Sequence, residues 1–501
     1  MSIAQEAVVD LKQGQTMLQD MTTTKSYESQ ENALDLALQN YIPDTDAEKK
    51  LVRKVDLFMV PMLWWMCILC YLDRNNIGNA NAAGMSEDIN IDDSDYSMLI
   101  SIFFIAYLIF EIPSNLLLAR VRPSWYLAII MSLWGMVCAC MSQVKNYSGI
   151  LACRFFLGAI EAGFLPGVMF LMSAWYKKSE IGKRFSLFFT ALCVAGAASG
   201  LISGAVISGL EGARGMEGWR WLFLIEGVGT TFTGLVAGFV LLDYPENSKR
   251  LTAEQRELGV VRLIHDRNTT TRAVSTKLSP LQAVRAALFD LRTYVFAILY
   301  MFDNGAATIN YFVPTLLKSM GYSGVAVQWM TVPVWAVATV FLLVVPQVAD
   351  RTGDRRWTLT AGFTLSFVSA IICFQVHVDV VRYVFLAFFI SGLYFTLPLI
   401  LTWASEVISL PAEKRAVAIA FASAVGNLSA VYGSRLWPSA DAPQYSKGFT
   451  ATACFTGVAA VLAGVAPILF RYLPSWPSQA ELEVAESQAI EGRPGRGHSQ
   501  V

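Results

Sequence analysis

Asp73 and Arg74 stand inside one long apolar stretch of this sequence, and Arg154 and Glu161 inside another. Charge in such a setting is costly, so each is by default a candidate for function. Asp73 and Arg74 are neighbours, which on a helix points them about 100° apart. One of them faces a central cavity while the other meets a neighbouring helix. A buried ion pair that only fixes packing is the competing reading, although Asn75, Asn76 and Asn79 ring the pair with further polar groups. Arg154 and Glu161 are seven residues apart and return to nearly the same helix face, with Gly158 between them as a gap. A deeply placed cation needs an anion. If that anion is a substrate, the planar fork of an arginine suits a carboxylate. A carboxyl in the same cavity is drawn toward its neutral form by poor solvation and toward its ionised form by the arginine. That balance lets Glu161 or Asp73 take up and release a proton near neutral pH.

Metal and nucleophile chemistry finds little here. Cys67, Cys70, Cys138, Cys140, Cys153, Cys193, Cys373 and Cys454 all lie in apolar runs, where cysteine behaves as a small hydrophobe. Cys67-x-x-Cys70 has redox or zinc spacing but no second pair. His265, His377 and His498 form no HExxH. No metal and no cofactor are expected, and an enzyme is the least favoured class.

The elements that must position these charges are membrane-length helices. Apolar runs recur at 56–82, 95–118, 125–143, 149–175, 184–209 and 220–242, then at 294–317, 327–348, 358–376, 381–405, 414–435 and 449–472. Each is long enough to cross about 30 Å of hydrocarbon, and backbone in lipid must satisfy its own hydrogen bonds, so all are expected as helices. The expected organisation is a polar tail over 1–50, a six-helix lobe over 51–242, a link over 243–293, a second six-helix lobe over 294–472 and a tail over 473–501. No apolar run near Met1 resembles a cleaved signal. Thr252, with Gln255 three residues on, is expected to cap a surface helix in the link.

Of the 501 residues, 54% are hydrophobic and only 15% charged, with formal net charge −1. That is too little charge to coat a soluble protein of this size, and there is no basic field for nucleic acid. The lipid bilayer is the expected partner and a monomer the expected state. The basic residues are placed unevenly. Lys49, Lys50, Arg53 and Lys54 precede the first span, and Lys177, Lys178, Lys183 and Arg184 follow the fourth. Lys414 and Arg415 follow the tenth, whereas residues 84–96 hold five acids and no base. The positive-inside rule then sets both termini and the link in the cytosol. Asn146 begins a glycosylation sequon against a helix end on the outer side.

Gly196, Gly200 and Gly204 let the fifth span approach a neighbour closely. Pro61, Pro113, Pro166, Pro314, Pro333 and Pro398 fall in or near spans, where they allow bends. A repeat links the halves: basic turns follow the second span, Leu118-Ala-Arg-Val-Arg-Pro123, and the eighth, Ala349-Asp-Arg-Thr-Gly-Asp-Arg-Arg356. Parallel halves of this kind mark a two-lobed carrier.

On these residues the chain resembles the major facilitator superfamily, and within it the anion:cation symporters and their fungal allantoate-permease branch. The motifs are Asp73-Arg-Asn-Asn-Ile-Gly-Asn-Ala80, Arg154-x-x-x-Gly158-x-x-Glu-Ala-Gly163-x-x-Pro-Gly167, Gly218-Trp-Arg-Trp-Leu-Phe-Leu-Ile-Glu-Gly227, Tyr244-Pro-Glu246, Tyr311-Phe-Val-Pro-Thr315 and Gly426-Asn427. The resemblance covers about residues 50–473. It implies an all-α membrane protein of twelve transmembrane helices in two pseudo-symmetric lobes. It also implies proton-linked symport of small organic anions such as allantoate, nicotinate, pantothenate or biotin. Carried over, substrate binding falls on Arg74, Arg154, Tyr107 and Asn427, and proton coupling on Asp73 and Glu161. Asp350, Arg351 and Gly353 match the signature of the conformational loop. Two acids depart from the pattern, Asp303 in the seventh span and Glu406 after Trp403-Ala404-Ser405, and stand as secondary candidates. Two other readings compete: an exporter of a fungal metabolite, disfavoured by the absence of proline between Gly196 and Gly209, and a non-transporting nutrient receptor. A multi-pass protein of the plasma membrane is expected.

Overall fold

The protein is described by a computed structural model over residues 38, 40–118, 121–245, 248, 250–271, 280–408 and 412–473. Most of both expected tails lies outside the described residues. Among the described residues all regular structure is helical. The first six spans are α1 (Asp46–Ala82), α2 (Asp93–Leu118), α3 (Pro123–Met141), the pair α4 (Tyr147–Glu161) and α5 (Phe164–Ser173), α6 (Lys178–Leu210) and α7 (Gly218–Val240). The link supplies α8 (Ala253–Thr271) and α9 (Pro280–Phe289). The second half comprises the pair α10 (Leu291–Ala307) and α11 (Val313–Ser319), then α12 (Val325–Thr352), α13 (Arg355–Gln375), α14 (Asp379–Val407), α15 (Ala412–Gly433) and α16 (Ser446–Tyr472).

Among the described residues, eleven of the twelve expected spans are long and apolar enough to cross a membrane as single stretches. The exception is the seventh, where a 3-10 segment, Thr308–Phe312, separates α10 from α11. Pro314 accounts for the break. Its ring would clash with the carbonyl of Asn310 in a continuous helix, whereas in the first turn of α11 its missing N–H is no loss. The first helix starts at Asp46, inside the stretch expected as tail. Thr45 caps it, with its hydroxyl accepting from the Glu48 amide at 3.3 Å. Thr252 and Gln255 cap α8 reciprocally, at 3.3 and 3.4 Å. Asn146 caps α4, its side chain accepting from Gly149 N at 2.9 Å.

The two ends of the bundle differ in charge. One carries Arg184 in a two-bond fork on Asp56, at 2.5 and 2.6 Å, Lys177 on Glu48 at 2.5 Å and buried Lys414 on Asp290 at 2.8 Å. Arg262 of the link bonds Glu180 there, tying α8 to the start of α6. Burial opposes the charge of Lys177, but Glu48 and Tyr41 beside it hold its pKa above the usual lysine range. The opposite end carries Asp88, Asp92, Asp93 and Asp95, with Arg220 bridging Asp88 at 2.7 Å.

The halves meet mainly along two helix pairs, α6 on α12 and α2 on α15, and α1 also touches α11 and the Thr308–Phe312 segment. Hydrogen bonds join them toward the acidic end. Tyr96 donates to Tyr311 O at 3.0 Å, Ser97 to Ser434 O at 2.9 Å, and Asn310 to Asn75 at 2.9 Å. The glycine stripe of α6 faces α12: a Cβ on Gly200 would stand 2.0 Å from Thr331 Oγ1, so only glycine permits this approach.

Candidate functional site

The polar half of α1 fans its charges in two directions. Arg74 points across to α4 and forms a buried ion pair with Glu161. The Cys70 thiol donates to the same Glu161 oxygen at 3.1 Å. Around the guanidinium stand the rings of Tyr71, Phe103 and Tyr107, with centroids 5.1, 5.5 and 5.2 Å away. An arginine over aromatic faces in a dry setting gains cation–π stabilisation of about 2 kcal/mol. The pair is not saturated: Arg74 Nη2 and Glu161 Oε2 are buried without a partner.

Arg154 is wholly buried on α4. Its Nε donates to Leu99 O at 3.3 Å and its guanidinium lies 4.8 Å from the Phe103 ring centroid. Its Nη1 has no partner. Spacing alone set Arg154, Gly158 and Glu161 on one face with room at the glycine. The structure fills that room. A Cβ on Gly158 would lie 2.2 Å from Phe103 O, so the gap is where α2 packs its backbone against α4. Glu161 meets Arg74 from another helix, one turn beyond that contact.

Asp73 turns the other way. It accepts from Trp134 Nε1 at 3.1 Å, Cys138 Sγ at 3.3 Å and Thr230 Oγ1 at 3.1 Å, on α3 and α7. Beside it Asn76 donates to Glu226 of α7. Arg74, Arg154, Tyr107 and Glu161 therefore form one group, and Asp73 a separate one behind α1. Asn427 stands in the second half, where Asn304 of α10 donates to its Oδ1 at 3.3 Å and to Gly426 O at 3.0 Å.

The secondary candidates part company. Asp303 is fully buried on α10, accepting from Thr396 at 3.0 Å through one oxygen, with the other unpartnered. Glu406 sits one residue from the end of α14, its side chain half exposed, and takes Arg355 Nε at 2.8 Å. It belongs to the basic end and its loop, not to the interior, because α14 runs through the bundle and delivers its last turn to the surface. In that loop Gly353, at φ +67°, ends α12, and Asp354 caps α13 by accepting from the Arg356 and Trp357 amides. Arg351 is exposed, and Asp350 lies on the last turn of α12 with its side chain outside the described residues.

Sequence reasoning passed over Glu226, Trp134 and Thr230, and treated Cys70 and Cys138 as mere filler. The signal for Glu226 was present: it is an acid inside an apolar span, like Asp73. The thiols gave none, since only the packed structure sets them against carboxyls.

Comparison with known proteins agrees with this architecture. Residues 63–434 match the Major Facilitator Superfamily. The chain is 32% identical to the "MFS-type transporter cnsO" of Penicillium expansum, covering 86% of this chain and 85% of that one. It is 30% identical to the "Putative tartrate transporter" of Agrobacterium vitis, covering 77% and 84%. Among solved structures, a bacterial homolog of the human lysosomal transporter Spinster, inward-facing and occupied, superimposes with a TM-score of 0.65. It shares 14% identity and covers 82% of this chain and 97% of its own. A D-xylose-proton symporter does so with a TM-score of 0.60, 14% identity and coverage of 82% and 97%. With its membrane-length helices, its interior charges and relatives aligned over most of their length, the chain belongs to the Major Facilitator Superfamily and is a multi-pass secondary transporter, not an enzyme.

Proposed function

We propose that the protein imports a small organic carboxylate together with protons by alternating access, as a member of the anion:cation symporters and their fungal allantoate-permease branch. The observation that carries this reading is the buried Arg74–Glu161 pair beside an Arg154 that forms no salt bridge among the described residues. Protonating Glu161 releases Arg74, and a substrate carboxylate takes the place of the lost anion, bridging toward Arg154. Proton and anion thereby favour each other's binding, and such linkage is reciprocal. Tyr107, beside Arg74, and Asn427, across in the second lobe, complete the binding set. Asp73 is the second carboxyl of the coupling machinery. The relative named a putative tartrate transporter supports an anionic substrate, and the likeness to a proton symporter is one of fold.

The density of Lys and Arg at one end supports a cytosolic position for that end and both termini, in the plasma membrane. In that orientation the hydrogen bonds between the lobes lie toward the external side. The test is uptake of a panel of labelled carboxylates into proteoliposomes under an acid-outside gradient. Uptake that rises with the gradient supports import. Carboxylate flux indifferent to the gradient, or driven outward by it, refutes the coupling, and no flux across a broad panel refutes the substrate class.

A further inference from the structure

Three carboxyls, Asp73, Glu161 and Glu226, lie buried in the spans of the first lobe against two arginines, Arg74 and Arg154. Arg74 bonds Glu161, which leaves Asp73 and Glu226. They stand on one seam. Asp73 and Asn76 are three residues apart on α1 and share a face. Opposite them on α7, four residues apart, are Thr230 and Glu226. Thr230 donates to Asp73 at 3.1 Å, and Asn76 Nδ2 donates to Glu226 Oε2. The two carboxyls thus occupy neighbouring rungs of one helix contact. From α3 the seam is closed by Trp134 and the Cys138 thiol, both donating to Asp73. The charges on α4, Arg154 and Glu161, are engaged with Leu99 O and Arg74. No lysine or arginine among the described residues forms a salt bridge with either seam carboxyl.

Two atoms on this seam are buried with no partner: Glu226 Oε1 and Asn76 Oδ1. With Glu226 ionised both are acceptors, so neither has anything to bind. One proton on Glu226 changes this. Its Oε1 becomes a donor, and the amide of Asn76 offers the matching acceptor, giving the two-bond pairing of a carboxylic acid with a carboxamide. The same proton removes the excess of one negative charge from the buried set.

We propose that Glu226 and Asp73 form a second proton site that holds one proton between them, resting on Glu226 against Asn76 while Asp73 is ionised. The site is separate from Arg74–Glu161 and shares only α1 with it. It extends the import reading, with which it has Asp73 in common, but its readout does not depend on flux.

The experiment is infrared spectroscopy of the purified full-length protein, titrated from acid to alkaline pH. The wild type is compared with Glu226→Gln, Asp73→Asn and, as control, Glu161→Gln. At neutral pH the wild type is expected to show a protonated-carboxyl stretch that Glu226→Gln removes and Glu161→Gln leaves. In Asp73→Asn the band persists, but its titration midpoint falls by about one pH unit or more, as it must if the two groups share a proton. Carboxyl-labelled glutamate shifts the band in the unmutated protein, which keeps the test valid if a variant fails to fold. A neutral-pH spectrum with no protonated glutamate, a band indifferent to Glu226→Gln, or a midpoint unmoved by Asp73→Asn each overturns the proposal.

Discussion

At the scale of single residues, the more deeply buried of the two arginines is the one without a carboxylate. Arg74 has Glu161, while Arg154 has a backbone carbonyl and a ring. If Arg154 receives the substrate, Arg154→Lys keeps the charge and loses the planar fork. Charge-assisted bonds of this kind contribute about 1.5–3 kcal/mol. Transport by Arg154→Lys should therefore fall by about tenfold or more at unchanged surface expression, and near-normal uptake would leave Arg154 a packing residue. The Arg74–Glu161 pair gives a second expectation. Removing one partner strands a buried charge, at a cost of about 3–5 kcal/mol, while replacing both with neutral side chains of similar size costs far less. Thermal melts should show Arg74→Met much less stable than Arg74→Met/Glu161→Gln, and equal melts would mean that the pair is open to water. The neutral mimics Glu161→Gln and Asp73→Asn should each abolish proton-driven accumulation, with at least one still exchanging substrate across liposomes without a gradient. Helix spacing correctly grouped the residues of α4 on one face, but a face does not name the neighbour it meets. Hence Glu161 was legible as an acid inside a span, its partner Arg74 was not, and the apparent vacancy at Gly158 proved to be the contact with Phe103.

At the scale of elements, the sequence delivered the spans because apolar length is a property of the chain alone. The interruption of the seventh span was legible in principle from Asn304, Asn310 and Pro314, since all three weaken a continuous lipid-facing helix. The partner of the glycine stripe was not legible, because spacing shows only that something approaches. That partner is α12, and the contact crosses between lobes. A side chain at Gly200 would strike Thr331 Oγ1 at 2.0 Å and Gln328 O at 2.6 Å. Overpacking of this kind costs about 1–3 kcal/mol, borne only by the state in which α6 and α12 touch. Gly200→Val is thus expected to shift the carrier away from the state described here. Transport should slow, and labelling of a cysteine introduced at the acidic end should quicken by several-fold. Unchanged labelling would show that the contact persists through the cycle.

At the scale of the whole molecule, the alternation of basic and acidic segments anticipated which ends of the helices gather together, and the structure collects Arg184, Arg262 and Lys414 at one end and Asp88 to Asp95 at the other. Where the two lobes touch was not legible, because an apolar or small-residue face does not name the partner it meets. Beside the close packing of α6 on α12, the contact toward the acidic end includes small polar groups: Ser97, Ser101 and Ser434, Tyr96 with Tyr311, Asn75 with Asn310. Bonds between neutral groups are worth about 1 kcal/mol each, enough in sum to hold one state and little enough to release it. Ser101 Oγ and Ser434 Oγ lie 3.1 Å apart, close enough for cysteines at both positions to form a disulfide. In Ser101→Cys/Ser434→Cys, with exposed Cys140 and Cys454 replaced, oxidation should stop substrate flux and reduction should restore it. Substrate presented from the basic end should still bind the oxidised protein, because the lock closes only the acidic side. Flux that continues through fully oxidised protein would mean that this contact does not open during transport, and the alternating path would then have to run elsewhere than between α2 and α15.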